Sequence, residues 1–326
     1  MKLIFVALFA CLTGLACDTP KGVSEEKTRA STYSFRPPGF LSVRYYHQSH
    51  CWVLLDDGRL MHTSDGGTSW KDLNGNRLGK VTAFTFTSEV SGWALNKDLE
   101  VLRTRDGGEN WSHISSLPQV SYSEGYRQLE FLDNANGSIM GSFTFWHTVD
   151  GGSVWNLSRL PDVKPDTSLW LSDFAFSREN VGWLTSSEGL LKTSNGGFSW
   201  QITPSFEEEG GNNYTREITW LNDRLGWVVY DRLYKTEDGG DTWQDIEPSE
   251  ELLFRLESYT FVSERRGWSV GEDLMESISR RDRDDRVKTY ILDTNDGGTT
   301  WKKRPLIVDG HLMKVKFLDE QHGWIL

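Results

Sequence analysis

Short stretches in which apolar and polar residues alternate recur along the chain, and each of them predicts a half-buried β-strand. An apolar residue stands two positions before an aromatic residue, so both side chains lie on one face of the strand. Seven positions after the aromatic residue, a tryptophan that usually follows a glycine marks a second strand. The pairs are Tyr45 with Trp52, Phe86 with Trp93, Phe176 with Trp183, Trp220 with Trp227, Phe261 with Trp268 and Phe317 with Trp324, with Ser138 in place of tryptophan after Phe131.

An eight-residue motif, Thr-x-Asp-Gly-Gly-x-x-Trp or a close variant of it, separates consecutive members of this series. It occurs six times, at intervals of 41 to 45 residues except for a last interval of 58. A period of this size indicates a repeat architecture in which each repeat is one supersecondary unit. The third residues of the six boxes are Asp65, Asp106, Asp150, Asn195, Asp238 and Asp296.

Each period has room for four short antiparallel strands, which is the blade of a β-propeller. We therefore predict that residues 41–326 form an all-β propeller of four-stranded blades. The sequence contains seven aromatic-to-tryptophan units but six boxes. This difference favours a seven-bladed ring with an incomplete last blade over a six-bladed ring. The 15 tryptophans and 31 glycines suit many short strands joined by tight turns.

The boxes have the chemistry of turns. Aspartate and threonine side chains bond to nearby backbone groups, and glycine adopts positive φ without steric cost. Asn195 keeps an acceptor oxygen but cannot act as a carboxylate base. A Ca²⁺ loop needs several carboxylates, whereas most of these turns have one. We expect the six box residues to be structural.

The repeated box resembles the Asp-box, or bacterial neuraminidase repeat, of sialidases, some glucan-degrading enzymes and sortilin-type receptors. The fuller pattern of aromatic strand, Gly-Trp and box over residues 41–326 resembles the photosystem II assembly and stability factors of cyanobacteria and chloroplasts, which have relatives in non-photosynthetic bacteria. This resemblance implies a non-enzymatic, seven-bladed propeller on the lumenal or periplasmic side that binds a membrane-protein partner. Those factors use a basic surface, whereas this chain has a net charge of −12.

The N-terminus predicts export. Residues 1–16 contain one lysine, an apolar run and small residues before Cys17, which is the layout of a signal peptide. Gly14 to Cys17 resembles a bacterial lipoprotein signal, so we expect Cys17 to be lipidated, on a periplasmic or outer membrane face. Cleavage to a soluble secreted protein is the alternative. Residues 17–40 are predicted to be a linker, and the acidic charge argues against nucleic acid as a partner.

A sialidase-type or glucanase-type glycosidase is the alternative function. A sialidase requires three arginines around a carboxylate, a tyrosine nucleophile paired with glutamate, and an acidic proton donor. Arg36, Arg127 and Arg216 are nominees for the arginines. No tyrosine–glutamate pair or general acid occupies a comparable position, so we expect no catalytic residues.

A protein-binding platform fits the sequence better, because a rigid propeller presents its loops at both ends of a central channel. Arg127, Arg216 and Glu257 stand four positions before the aromatic residues of three first strands, and we nominate them as partner contacts, with solvated channel side chains as the alternative. The insertions at residues 205–214 and 277–290 are further candidates for docking, although a charge-rich hairpin tip is usually solvated. His47 and His50 lack additional ligands at zinc-site spacing, so neither a metal nor a cofactor is expected. We expect a monomer that binds a membrane complex or another protein.

Overall fold

A computed structural model describes residues 40–45, 49–75, 77–120, 125–162, 168–203, 217–229, 232–246, 254–273, 289–305, 314–320 and 322–325. These residues contain 26 strands in seven antiparallel sheets, each built from consecutive strands. No helix in these ranges has both the length and the apolar character needed to cross a membrane.

The first three sheets have four strands each. Blade 1 contains β1 (Phe40–Tyr45), β2 (Cys51–Leu55), β3 (Leu60–Thr63) and β4 (Lys71–Asp72). Blade 2 contains β5 (Val81–Phe86), β6 (Gly92–Asn96), β7 (Glu100–Thr104) and β8 (Ser112–Ser116). Blade 3 contains β9 (Gln128–Phe131), β10 (Gly137–Met140), β11 (Phe145–Thr148) and β12 (Asn156–Leu157).

The next three sheets repeat this order, and a seventh has two strands. Blade 4 contains β13 (Leu171–Arg178), β14 (Val181–Ser186), β15 (Gly189–Thr193) and β16 (Gln201–Ile202). Blade 5 contains β17 (Glu217–Trp220), β18 (Gly226–Val229), β19 (Leu233–Thr236) and β20 (Gln244–Ile246). Blade 6 contains β21 (Phe254–Phe261), β22 (Gly267–Asp273), β23 (Thr289–Thr294) and β24 (Lys302–Pro305). The last sheet contains β25 (Val315–Phe317) and β26 (Gly323–Ile325).

The predicted all-β propeller of four-stranded antiparallel blades is confirmed. Six described sheets have all four strands, which is the count of the six-bladed alternative. The two-stranded sheet occupies the next position in the ring. Its Val315 and Ile325 pack with Trp268 of blade 6, and its Trp324 packs with Cys51 and Val53 of blade 1. The last sheet therefore joins the sixth blade to the first.

Stacked aromatic side chains form the core between blades. At five interfaces the tryptophan that opens the second strand stacks on the aromatic residue of the next blade's first strand, with ring centroids 3.9 to 6.0 Å apart. Stacked and edge-on aromatic pairs add to the free energy gained by burying these large side chains. The pairs are Trp52 with Phe86, Trp93 with Phe131, Trp183 with Trp220, Trp227 with Phe261 and Trp268 with Phe317.

The glycine that precedes most of these tryptophans is explained by its neighbour within the blade. A Cβ atom on Gly267 would lie 2.5 Å from the Phe261 ring, which is closer than two carbon atoms can approach. Glycine therefore lets the first-strand aromatic residue lie flat against the second strand.

The antiparallel order of strands gives the ring two distinct ends. The boxes, between third and fourth strands, lie at the same end as the turns between first and second strands, and we call this the box end. The hairpins between second and third strands, together with the links between blades, lie at the opposite end, which we call the link end. First strands of successive blades contact one another around the axis, among them β1 with β5, β13 with β17 and β21 with β25.

Candidate functional site

Each box is a turn closed by side-chain hydrogen bonds. In the first box, Thr63 Oγ1 donates to Asp65 Oδ1 over 2.8 Å and accepts from Gly67 N over 2.9 Å. Asp65 also accepts from the backbone nitrogen and the hydroxyl of Ser69, over 2.9 and 2.7 Å. Gly66 and Gly67 have φ values of 71° and 90°, a region that glycine enters without the steric cost of a Cβ atom.

The box with asparagine makes the same turn without a charge. Asn195 Oδ1 accepts from Thr193 Oγ1 over 2.8 Å and from Ser199 N over 3.0 Å. Asn195 Nδ2 donates to the Ser199 hydroxyl, which reverses the bond that Ser69 makes to Asp65. Where aspartate is present, the hydrogen bonds favour its ionised form, and those from Ser69 lower the pKa of Asp65 to about 2. The fold of the turn requires an acceptor oxygen and not a carboxylate.

The boxes also join neighbouring blades. In blades 2, 3 and 6 the first glycine of the box accepts a hydrogen bond, through its carbonyl oxygen, from the indole nitrogen of the preceding blade's core tryptophan. Trp52 donates to Gly107 O over 3.1 Å, and Trp93 donates to Gly151 O over 3.0 Å. Trp227 repeats this bond in blade 5. These bonds connect successive blades along the box end of the ring.

The central channel contains a cavity of about 390 Å³. It is lined mainly by first strands, from blades 3 to 6 and from the two-stranded sheet. The lining is strongly polar because it contains both carboxylates and cations, including Glu130, Asp173, Glu217, Lys314 and Arg127.

In blades 3, 4 and 5 the side chain three positions before the first-strand aromatic residue binds the backbone of the following blade. Asp173 Oδ2 accepts from Ile218 N over 2.9 Å, and Glu217 Oε2 accepts from Tyr259 N over 3.0 Å. Gln128 makes the corresponding contact by donating to Phe174 O over 3.0 Å. The polar residues of the channel therefore hold successive blades together.

The two channel carboxylates have different surroundings. Lys314 Nζ donates to Glu217 Oε1 over 2.5 Å, which gives Glu217 a positive partner. Burial and the nearby negative charge of Glu217 raise the pKa of Asp173 to about 7, against the backbone bond from Ile218 that lowers it. Asp173 consequently changes its charge near neutral pH.

Arg127 lies at the link end of this cavity and is exposed. Its guanidinium lies over the ring of Trp170, 4.6 Å from the centroid, and its Nη2 donates to Ser142 Oγ over 3.3 Å. Trp170 also packs edge-on against Phe143 and keeps 39% of its surface exposed. A cation stacked on a partly exposed indole is a surface suited to protein recognition, because tryptophan and arginine are enriched where binding energy concentrates.

The structure gives less information on the other predicted site residues. Arg216, Cys17 and Arg36 lie outside the described residues, as does most of both insertions. Glu257 lies in β21, at a register shift between the paired residues Leu256 and Ser258. Partner binding by Arg127, Arg216 and Glu257 stays a prediction, and so does lipidation of Cys17.

Comparison with known proteins places the chain in a family. The model of the photosynthesis system II assembly factor YCF48 family matches residues 34–120 and 159–255, which is more than half of the chain. The chain belongs to the YCF48 family. No curated protein matches the sequence.

Solved structures agree with this fold. A YCF48 protein bound to a D1 peptide has a TM-score of 0.64 and 19% identity, over 88% of this chain and 89% of that one. YCF48 from Cyanidioschyzon merolae has a TM-score of 0.64 and 18% identity, over 88% and 91%. A GH74 xyloglucanase from Xanthomonas campestris has a TM-score of 0.64 and 14% identity, but the match covers 51% of that chain.

Sequence reasoning missed two features of this YCF48-family chain. Trp170 stands outside the repeat, and that irregular position is the sequence signal that could have singled it out. The channel residues Asp173 and Glu217 occupy the same repeat position, which aligning the blades on their aromatic residues reveals. The nominated residues are one position earlier.

Proposed function

We propose that this chain is a non-enzymatic propeller, exported and anchored by lipid on Cys17, that binds a segment of a membrane protein during assembly of a membrane complex. Its family is one of assembly factors, and a protein of that family has been solved with a bound D1 peptide. The observation that carries the proposal for this chain is the stack of Arg127 on the exposed ring of Trp170 at the link end of the channel.

The geometry favours a peptide as the ligand. The indole of Trp170 offers an apolar face, Arg127 offers a charge for a carboxylate or a carbonyl oxygen, and the cavity beside them is lined by groups of both signs. With a net charge of −12, the chain does not present a broad basic surface, so recognition would depend on this local cation.

The glycosidase alternative has weaker support. Asp173 and Glu217 each accept a backbone hydrogen bond from the next blade, so both carboxylates hold the ring together. The likeness to a xyloglucanase extends to the fold only. Incubating the folded, purified chain with sialosides and β-glucans tests this alternative, and release of sugar by the wild type would support it.

Site-specific photo-crosslinking tests the binding function. A benzoylphenylalanine replaces Ser168, an exposed residue beside Trp170, and a control chain carries it in place of Val90, an exposed residue at the box end of blade 2. Each lipid-anchored chain is expressed in its source organism, and crosslinked proteins are identified by mass spectrometry. We expect the Ser168 probe to capture subunits of one membrane complex, and Arg127→Glu in the same chain to reduce that capture at least fivefold.

Two results would overturn the proposal. Equal capture by the two probes would mean that the link end has no special contact. Capture that is unchanged by both Arg127→Glu and Trp170→Ala would mean that the stacked pair does not bind the partner. Lipid anchoring of Cys17 has its own test. We expect the Cys17→Ser chain not to reach a membrane, whereas the chain that keeps Cys17 reaches it and captures the partner. A Cys17→Ser chain that stays bound to the membrane would contradict lipid anchoring.

A further inference from the structure

The interface between blades 3 and 4 lacks the aromatic stack of its neighbours. At five other interfaces a tryptophan covers the first-strand aromatic residue of the next blade. Blade 3 has Ser138 at this position, so it supplies no indole to stack on Phe176. A serine fills far less volume than a tryptophan, and a groove of about 40 Å³ opens between Ser138 and Phe176 at the box end.

The polar groups beside the groove are also incompletely matched. His147 pairs across the strand with Ser138 and is almost fully buried. Ser158 Oγ lies 3.2 Å from His147 Nδ1 and donates its one proton to Gly197 O, so Nδ1 must carry the histidine proton. His147 Nε2 is then an acceptor, and in the described structure it has no hydrogen-bond partner. Burial lowers the pKa of His147, which keeps the ring neutral.

Apolar side chains surround the mouth of the groove. Leu132, Val149 and Phe198 line it and remain 44%, 55% and 47% exposed. Large apolar side chains that cluster in this way around a concave surface are typical of interaction sites, whereas single exposed ones are ordinary. The Phe198 ring centroid lies 3.8 Å from that of His147. The small volume of the groove, about 40 Å³, favours an aliphatic side chain over the larger ring of an aromatic one.

The charge of the groove has one sign. Glu130 and Glu179 are the charged residues among those that line it in the described structure, and no basic residue lines it. Glu179 is exposed at the turn between β13 and β14. Negative groups next to an apolar mouth favour a ligand that places a cation beside an aliphatic side chain. The net charge of −12 also favours a cationic ligand.

From these observations we infer that the box-end groove between blades 3 and 4 is a docking site for a partner segment in which leucine-like side chains alternate with lysine or arginine. This site goes beyond the proposed function, because the Arg127 and Trp170 surface lies at the opposite end of the ring. The aromatic stack that closes five other interfaces is missing here, which leaves this one open to a side chain from another protein.

Peptide binding to the purified full chain tests the inference. The probe is fluorescein-labelled Gly-Lys-Leu-Lys-Leu-Lys-Gly, read by fluorescence anisotropy. Two control peptides replace both leucines by serine or all lysines by glutamate. We expect the leucine–lysine peptide to bind at least tenfold more tightly than either control. Ser138→Trp, which restores the repeat's own residue, should weaken binding at least tenfold and raise the thermal midpoint.

A second variant separates docking from general attraction between a cation and an acidic protein. Val149→Glu adds a negative charge and removes apolar surface, so it weakens binding if the groove docks leucine and strengthens it if only charge matters. Because Val149 is exposed, this variant should fold even if Ser138→Trp does not. Trp170→Ala at the link end should leave peptide binding within twofold of the wild type.

The inference is overturned if Val149→Glu leaves binding unchanged or strengthens it, or if the serine control peptide binds as tightly as the leucine peptide. It is also overturned if no binding occurs. A loss caused by Trp170→Ala with Val149→Glu neutral would place the peptide at the link end instead, which concerns the proposed function and not this groove.

Discussion

The threonine hydroxyl is the centre of every box, because it is both a donor and an acceptor in the same turn. Thr236 Oγ1 donates to Asp238 Oδ1 over 2.8 Å and accepts from Gly240 N over 2.8 Å, and the side chain is buried. Removing a hydroxyl from such a position leaves a buried backbone N–H without a partner, which costs more than the hydrogen bond is worth in net terms.

We therefore predict that Thr236→Val lowers stability by about 1–3 kcal/mol, the usual cost of an unsatisfied buried group. Thr236→Ser keeps the hydroxyl and should cost clearly less. Thermal unfolding followed by circular dichroism measures both. Equal losses in the two variants would show that the methyl group, and not the hydroxyl, stabilises the turn.

A second residue-scale prediction concerns Asp173, whose pKa is raised to about 7 by burial and by Glu217. In an unfolded chain its pKa is about 3.9. Between these values the folded state binds the proton more tightly, so this group stabilises the fold below pH 4 and its contribution is lost as pH rises to 7. The substitution Asp173→Asn keeps an oxygen that can accept from Ile218 N and removes the charge.

The thermal midpoint of Asp173→Asn relative to wild type should therefore rise as pH increases from 5 to 8. The charged neighbours Glu130, Glu217 and Lys314 are the same in both chains, so the difference isolates the Asp173 charge. A difference that stays constant across this range would contradict the prediction.

At the scale of strands, the repeat was predictable because side chains alternate faces with a period of two and each blade reuses the same positions. The first-strand position whose side chain makes the channel contacts was not predictable from this pattern. In blades 1, 2, 4 and 6 the pairing of the first two strands shifts register beside the fourth position before the aromatic residue. A bulge changes which residues face each side of a strand, so the repeat position alone does not fix which residue faces the channel. Glu257 stands at the shift in blade 6 and Asp173 follows the shift in blade 4, whereas the described pairing of β17 with β18, where Glu217 lies, has no shift.

Two core tryptophans at equivalent positions differ in whether the indole nitrogen makes a hydrogen bond. Trp227 and Trp183 are fully buried at equivalent positions, but Trp227 Nε1 donates to Gly297 O over 3.1 Å. The Trp183 indole nitrogen has no hydrogen-bond partner in the described structure. Replacing either by phenylalanine removes similar apolar area, while only Trp227→Phe leaves a carbonyl oxygen unpaired.

We expect Trp227→Phe to be the more destabilising by about 1–3 kcal/mol, the cost of one buried unsatisfied group. Differential scanning calorimetry of both variants measures the gap. A larger loss for Trp183→Phe would mean that packing of the indole, including the Lys192 ammonium 4.7 Å from its centroid, outweighs the hydrogen bond.

For the whole molecule, the two-stranded sheet determines whether the ring behaves as one body. Its Trp324 lies edge-on to Trp70 of blade 1 at 6.1 Å, and its Phe317 stacks on Trp268 of blade 6 at 3.9 Å. The sheet thus contacts both neighbours through the same kinds of aromatic pair that join complete blades. With both contacts in place, the link end and the box end each keep a fixed geometry around the channel.

Trp324→Ala should lower the free energy of unfolding by about 3–5 kcal/mol, as for other large aromatic residues removed from a core. Its effect should extend from the two-stranded sheet into blade 1. Hydrogen exchange should speed up not only in β25 and β26 but also in β2, whose Cys51 and Val53 pack against Trp324. Leu157→Ala, at an exposed position of blade 3, serves as the control and should change neither region. Faster exchange confined to residues 314–325 would mean that blade 1 is held in the ring independently of the two-stranded sheet.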